Sequence, residues 1–223
     1  MLLLAGPAVA GEAKKAGKEE GEFRILLQGK EIGFEKFVIV AEADSVNSSS
    51  TVEFRTSGNS RTKVHLETKL EMDARFVPRR YQCSIDVDGK RANISSNISP
   101  NEAMFEYTGT PQPRKNGVLV GERYTILDSN VFHHFIFLSR LFDFDSNERI
   151  QQMEVVIPQE MDEGVLKMSR RERETIQVRG KKKETRHLKV DSGSVQMDLW
   201  VDDQRNLQKI AVPDKGIEVI RSR

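Results

Sequence analysis

From residue 22 onward, apolar and polar side chains alternate with a period of two along most of the chain. In RTKVHLETKLEMD, Val64, Leu66, Thr68, Leu70 and Met72 form one set, and Lys63, His65, Glu67, Lys69 and Glu71 form the other. A two-residue period puts successive side chains on opposite faces, which predicts a half-buried β-strand. Phe23/Ile25/Leu27, Val52/Phe54, Phe105/Tyr107 and Val195/Met197/Leu199/Val201 repeat the pattern. Short turn signals separate the runs: Gly29-Lys30, Ser57-Gly58-Asn59, Asp88-Gly89, Gly180, Ser192-Gly193, Asp202-Asp203 and Pro213-Asp214-Lys215-Gly216. The rhythm predicts about a dozen strands in an antiparallel, mostly hairpin-connected meander. Each strand has one apolar side, so the sheet must curl or be covered on that side. TGTPQPRKNG (108–117), with two prolines and no pattern, is read as a surface loop.

One segment breaks the rhythm. LDSNVFHHFIFLSRLFDFD (127–145) carries five of the 11 Phe and two of the four His. Asp128, Ser129 and Asn130 are good helix N-caps. The following Val131, Phe132, Phe135, Ile136, Phe137, Leu138, Leu141, Phe142 and Phe144 leave almost no polar face. A helix over about 128–144 that is apolar nearly all round is buried nearly all round. Its economical place is against the concave, apolar face of the sheet. The expected fold is therefore mainly β, an open half-barrel with one apolar helix packed inside it. Residues 22–223 form its single domain.

Charge and cysteine content narrow the functional classes. Lys and Arg number 35 against 34 Asp and Glu, a net charge of +1, which gives no global attraction to nucleic acid or anionic membrane. The basic runs Arg170-Arg171 and Lys181–Lys183 are interrupted by Glu172, Glu174 and Glu184 and read as a solvated strand face. Cys83 is the one cysteine, alternating with Tyr81, Ile85 and Val87, so a buried, inert thiol is expected and no disulfide can form within the chain. No segment approaches the roughly 18 apolar residues of a membrane-spanning helix. At the N-terminus, MLLLAGPAVA ends in the small-x-small pattern Ala8-Val9-Ala10 but lacks opening basic residues. Residues 1–10 are read as a signal-peptide remnant and 11–21 as a flexible polar segment, which predicts export to the periplasm or beyond. No Cys follows the apolar stretch to accept a lipid.

The chemistry-bearing residues are sparse. His133 and His134 are adjacent, so on a helix they diverge by about 100° and cannot share one metal in the i, i+4 manner. His65 and His187 are the only other imidazoles and sit on strands whose patterns point elsewhere. Packed histidines are the ordinary reading, and catalysis would need a carboxylate or hydroxyl within reach of one ring. DFDSNERIQQME (143–154) matches a calcium loop at Asp143, Asp145, Asn147, Ile150 and Glu154, but Glu148 stands where that loop needs Gly. Neither a metal nor a cofactor is expected. Trp200 shares a face with polar neighbours and either packs at a sheet edge or meets a partner.

NVFHHFIFLSRLFDF and LWVDDQRNLQKIAVPDKG, with the N-terminal signal and the strand rhythm, resemble an uncharacterised family of exported bacterial proteins. Its architecture is similar to the half-barrels of the lipoprotein-localisation (Lol) factors. The resemblance implies a concave apolar face, covered by helix, that can hold lipid-like groups. It carries no specific activity across.

These readings favour an exported, non-enzymatic protein that binds an apolar or amphipathic ligand between sheet and helix. Phe132, His133, His134, Phe135, Ile136, Tyr81, Tyr107 and Tyr124 are the expected lining. The alternatives are an assembly module of the cell envelope with a protein partner, or a hydrolase or metal-dependent enzyme using His133 or His134.

Overall fold

In the computed structural model, which describes residues 17–56, 61–110 and 112–223, strands run almost without interruption. They are β1 (Gly17–Leu27), β2 (Lys30–Ala41), β3 (Ser45–Arg55), β4 (Lys63–Asp73), β5 (Pro78–Val87), β6 (Lys90–Ser99), β7 (Glu102–Gly109), β8 (Arg114–Leu119) and β9 (Tyr124–Ile126). After α1 (His134–Leu141) come β10 (Ile150–Ile157), β11 (Asp162–Arg170), β12 (Glu174–Val178), β13 (Lys181–Asp191), β14 (Gln196–Val201), β15 (Leu207–Val212) and β16 (Ile217–Arg221). The described residues thus hold 16 strands rather than about a dozen. The excess comes from irregular stretches that are strands nonetheless. Arg114–Gly117, expected in a loop, pairs with β7, and the polar run Gly17–Gly21, expected to be flexible, pairs with β2. The signal-peptide reading of 1–10, residues 11–16 and the Ser57-Gly58-Asn59 turn lie outside the described residues.

Neighbouring strands pair in sequence order from β1 to β8, as the hairpin rhythm demands. Gln28-Gly29, Asp88-Gly89 and Arg179-Gly180 each have both residues at positive φ, the backbone that matches a two-residue turn to strand twist. Closure then depends on distant sequence. β1 pairs with β16, from Phe23 opposite Arg221 to Leu27 opposite Ile217, and the order continues β15-β14-β13-β11-β10-β9. β8 and β9 end the sheet, so the half-barrel is open there. Asn116 Nδ2 donates to the Met161 carbonyl at 2.9 Å and the Gly121 N–H to Glu154 Oε2 at 3.1 Å, bridging the opening with side chains.

One pair departs from the antiparallel rule. β9 and β10 run parallel, with Tyr124 opposite Glu154. Parallel neighbours need a crossover, and the segment between them, containing α1, supplies it. That connection carries the helix inside the sheet. The helix is shorter than predicted, 8 residues instead of a run from 128 to 144. Asn130 takes φ 62°, a left-handed conformation that interrupts any helix, and Asp128 spends its side chain on other partners than a cap. The apolar face is as buried as the pattern predicts: His134, Phe135, Ile136, Phe137, Leu138 and Ser139 are all buried.

The core is continuous from the sheet to the plug. Phe23 stacks on Phe37 at 5.1 Å, Phe37 on His133 at 6.0 Å, and Phe137 meets both His133 and Phe76. The ends of the chain are tied to the plug as well. Glu19 on β1 receives Arg221 Nη1 and Nη2 from β16, both at 3.1 Å, and Arg140 from α1. Although burial works against it, these two guanidiniums hold the Glu19 carboxyl below its usual range.

Candidate functional site

Glu35 is the residue around which the interior polar cluster is built. It lies on β2 in the register of Phe37 and Ile39, so its carboxylate points into the core, where it is 0% exposed. Its Oε2 accepts the backbone N–H of Phe132 at 2.8 Å and of His133 at 2.9 Å, and its Oε1 lies 2.7 Å from His133 Nδ1. Three donors satisfy a carboxylate that burial alone would penalise heavily. His133 Nε2 lies 3.3 Å from Ser48 Oγ on β3, which completes that ring's partners.

A second cluster abuts the first. Tyr81 on β5 donates its hydroxyl to Asp128 Oδ2 at 2.5 Å, and Asp128 Oδ1 accepts the N–H groups of Ser129 and Gln159. The Asp128 N–H donates to His134 Nδ1 at 3.2 Å, which leaves the ring proton on Nε2. That nitrogen is buried with no partner. The two imidazoles lie 4.6 Å apart, and His134 meets Tyr81 edge-on at 5.7 Å. Burial, then the neighbouring His133, push the His134 pKa well below the usual imidazole value. Burial raises Asp128, and burial with the Asp128 charge raises Tyr81 well above the usual phenol. The histidine–carboxylate and tyrosine–aspartate contacts are sealed from solvent, so no substrate can reach them in this conformation.

The sequence-predicted residues divide accordingly. His133, His134, Tyr81, Phe135 and Ile136 come together in the core, with Phe132 half-buried beside them. His133 stands just before the first residue of α1, and its ring faces Glu35 and Ser48 of the sheet while that of His134 faces Tyr81. Tyr124 is buried near them, its hydroxyl donating to the Pro78 carbonyl at 3.4 Å. Tyr107 stands apart towards the β8 edge, donating to the Thr110 carbonyl at 2.8 Å with Arg114 over its ring. Sequence reasoning missed Glu35 and Ser48 as the partners of His133. The signal was available in FEKFVIVA: a carboxylate in the same register as Phe37 and Ile39.

Other candidates resolve plainly. In the segment tested as a calcium loop, Asp143 Oδ1 accepts the N–H groups of Asp145 and Ser146, an ordinary local turn, and β10 begins at Ile150. Among the described residues, no group of three His, Cys, Asp or Glu could hold a metal. Cys83 is buried, its thiol pushed up to about 12 chiefly by burial. Trp200 is covered rather than presented. Ile176 and Val178 of β12 cluster with it on the outer face, His187 stacks on it at 4.9 Å, and its Nε1 donates to Glu174 at 2.8 Å.

The best-defined cleft does not lie between sheet and helix. About 760 Å³ in volume, it crosses β1 to β6, and its lining includes no residue of α1 and none of the predicted lining. Ser49, Gln82, Asn93, Ser95, Lys36 and Lys69 are exposed along it, so it lies on the outer face. It backs onto the inward row Gly21, Phe37, Ser50, Thr68, Cys83 and Ile94, each opposite the next across the sheet.

Fold and interior together define an open, β-barrel-like antiparallel sheet plugged by a short helix. The chain belongs to DUF6134, a domain of unknown function, whose family model matches residues 23–223. Its fold is similar to that of a beta-barrel-like protein of the domain of unknown function DUF1849 from Brucella abortus. That similarity has a TM-score of 0.64 at 10% identity over 94% of this chain and 97% of that one. A DUF1089 family protein from Pseudomonas aeruginosa aligns over 96% and 98% of the two chains at 10% identity, with a TM-score of 0.44. No curated protein is significantly similar in sequence. The family match and the similarity to the DUF1849 protein support an uncharacterised β-barrel-like domain and lend nothing to the comparison with lipoprotein-localisation factors. Among the described residues no helix is long and apolar enough to cross a membrane.

Proposed function

We propose that this protein is a non-enzymatic binding module of the cell envelope that meets a partner protein through its outer cleft. The observation carrying this reading is a solvent-excluded interior beside an open exterior. Phe23, Tyr81, His133, Ile136, Phe137 and Leu138 are 0% exposed where an interior ligand would lie, while the cleft across β1–β6 holds about 760 Å³. Its Ser, Asn and Gln side chains offer both donors and acceptors, and Lys36, Lys69 and Glu67 add both signs of charge. Such a lining suits an extended, mixed-charge peptide segment. The test is a photo-crosslinking amino acid at Ser49 or Ser84, with one at exposed Glu163 as control. The expected result is one protein captured from both cleft positions, not from Glu163, and lost with Lys36→Glu/Lys69→Glu. Equal capture from all three positions would remove the cleft from consideration.

A lipid-like ligand between sheet and helix is the second reading. It is favoured by the polar attachment of the plug, whose start hangs on Glu35 and Asp128 rather than on apolar contacts alone. It requires the plug to move aside. Native mass spectrometry of protein expressed to the periplasm, followed by organic extraction, decides: a stoichiometric lipid would replace the surface reading with this one.

Action outside the cytoplasm is supported by the apolar MLLLAGPAVA ending in Ala-Val-Ala. N-terminal mass analysis of protein from the periplasmic fraction tests it, with cleavage after Ala10 as the expected product.

A further inference from the structure

The Arg170-Arg171 run, which in the sequence reads as a solvated strand face, opens onto a different surface. Arg170 ends β11, Arg171 and Arg173 lie in the connection to β12, and Arg186 is on β13. With Phe144 and Asp145, from the segment just after α1, they line one cleft of about 270 Å³. At roughly 30 Å³ per water in the liquid, that is room for about nine waters.

Charge in this cleft is unevenly balanced, with four arginines in the lining against one carboxylate, the exposed Asp145. Arg173 is held by Glu184 at 2.7 Å and by Asp203 at 3.0 Å, and Arg186 faces the same Asp203 at 3.4 Å. Those two guanidiniums are oriented and partly neutralised. Arg170 is fixed by donating to the Phe144 carbonyl, and the Arg171 backbone by its N–H to the His187 carbonyl at 2.9 Å. Among the described residues neither Arg170 nor Arg171 has an ion-pair partner. Phe144, buried and with Arg186 5.0 Å and Arg205 5.8 Å from its ring centre, gives the cleft a rigid apolar wall. Guanidinium groups recognise oxyanions through paired, parallel N–H donors, and several converging on one small cleft is the arrangement that phosphate recognition uses.

We propose that this cleft binds a phosphate group, with Arg171 and Arg170 as its principal charge partners and Arg173 and Arg186 as pre-oriented flanking donors. The phosphate is carried either by a small phosphate monoester or by a phospholipid headgroup. This site is distinct from the cleft across β1–β6 and does not depend on what binds there.

Isothermal titration with inorganic phosphate and with phosphoserine at low ionic strength, beside flotation with phosphatidylglycerol and phosphatidylcholine vesicles, tests the proposal. Arg171 is exposed and has no side-chain partner, so Arg171→Gln should leave the melting temperature unchanged while weakening binding at least ten-fold. Arg171→Lys should fall between the two, because it keeps the charge and loses the fork. Added salt should weaken binding further. Binding of the soluble probes identifies a small phosphate ligand, and binding of phosphatidylglycerol vesicles alone identifies a headgroup. Failure of every probe, or equal binding by Arg171→Gln and the wild type, would overturn the proposal.

Discussion

Glu35 and His133 stand 98 residues apart in sequence, and the carboxylate of one holds both the backbone N–H and the ring of the other. This contact pins the start of the helical plug to strand β2. It does so inside the core, where an unpaired charge or donor is expensive.

Removing one partner therefore weighs more than the bond itself. Glu35→Ala leaves two backbone N–H groups and an imidazole without an acceptor in the interior. The expected loss of stability is about 3–5 kcal/mol, the range for breaking a buried pair. Urea denaturation measures it, and a loss under about 1 kcal/mol would show that the plug does not depend on this anchor.

The acid response of the fold should trace to His134. Its folded pKa is pushed well below the ordinary imidazole value of 6.5, so below that pH the unfolded chain binds a proton the native protein refuses. Stability is then fully present above pH 6.5 and declines as pH falls, by up to about 1.4 kcal/mol per pH unit. The facing groups are His133, Asp128, Tyr81 and, through His133, Glu35. Asp128, raised by burial, acts in the opposite sense at the lower end, and Glu19, lowered by its two arginines, contributes only around and below the carboxylate range. Denaturation at pH 7.5, 6.5, 5.5 and 5.0 should give a slope that flattens in His134→Gln. An unchanged slope in the variant would assign the effect elsewhere.

Phe137 and Leu119 form a matched contrast. Phe137 is 0% exposed between Phe76 and His133, and Leu119 is 78% exposed on the edge strand. Phe137→Ala should lower stability by about 3–5 kcal/mol. Leu119→Ser should change it by no more than about 0.5 kcal/mol. Comparable effects would mean that the plug is only loosely packed.

Gly33 is required by close approach rather than by backbone angle. A Cβ there would sit 2.0 Å from the Glu53 carbonyl oxygen and 2.5 Å from the Phe54 Cα, both backbone atoms of the paired strand. Gly33→Ala should lose about 1–3 kcal/mol through overpacking. Gly164, where the nearest atom is 3.8 Å away, should accept alanine with little change. Thermal melts of the two variants compare them directly.

Cys83 offers a readout of the whole β1–β6 wall. Burial raises its thiol to about 12, so a thiol reagent at pH 8 should label it only at the rate of unfolding. Rapid labelling in native buffer would mean that the wall opens locally.

What the sequence determined by itself was local. Two-residue alternation specified strands such as Lys63–Asp73, since each side chain's face follows from its position parity alone. Asp88-Gly89 specified a turn, since only some residues take positive φ easily. The strongly apolar stretch from Val131 to Phe144 specified a buried segment. Even there, counting failed where polar strands such as Gly17–Gly21 and Arg114–Gly117 carry no alternation and form because a partner strand accepts them. The tertiary structure alone decided which distant positions meet. That β1 pairs with β16, that β9 lies parallel to β10, and that Glu35 faces His133 depend on how the sheet closes. So does the gathering of Arg170, Arg171, Arg173 and Arg186 around Phe144. Periodicity is read along the chain, whereas these contacts arise across it, from the register and curvature of the whole sheet.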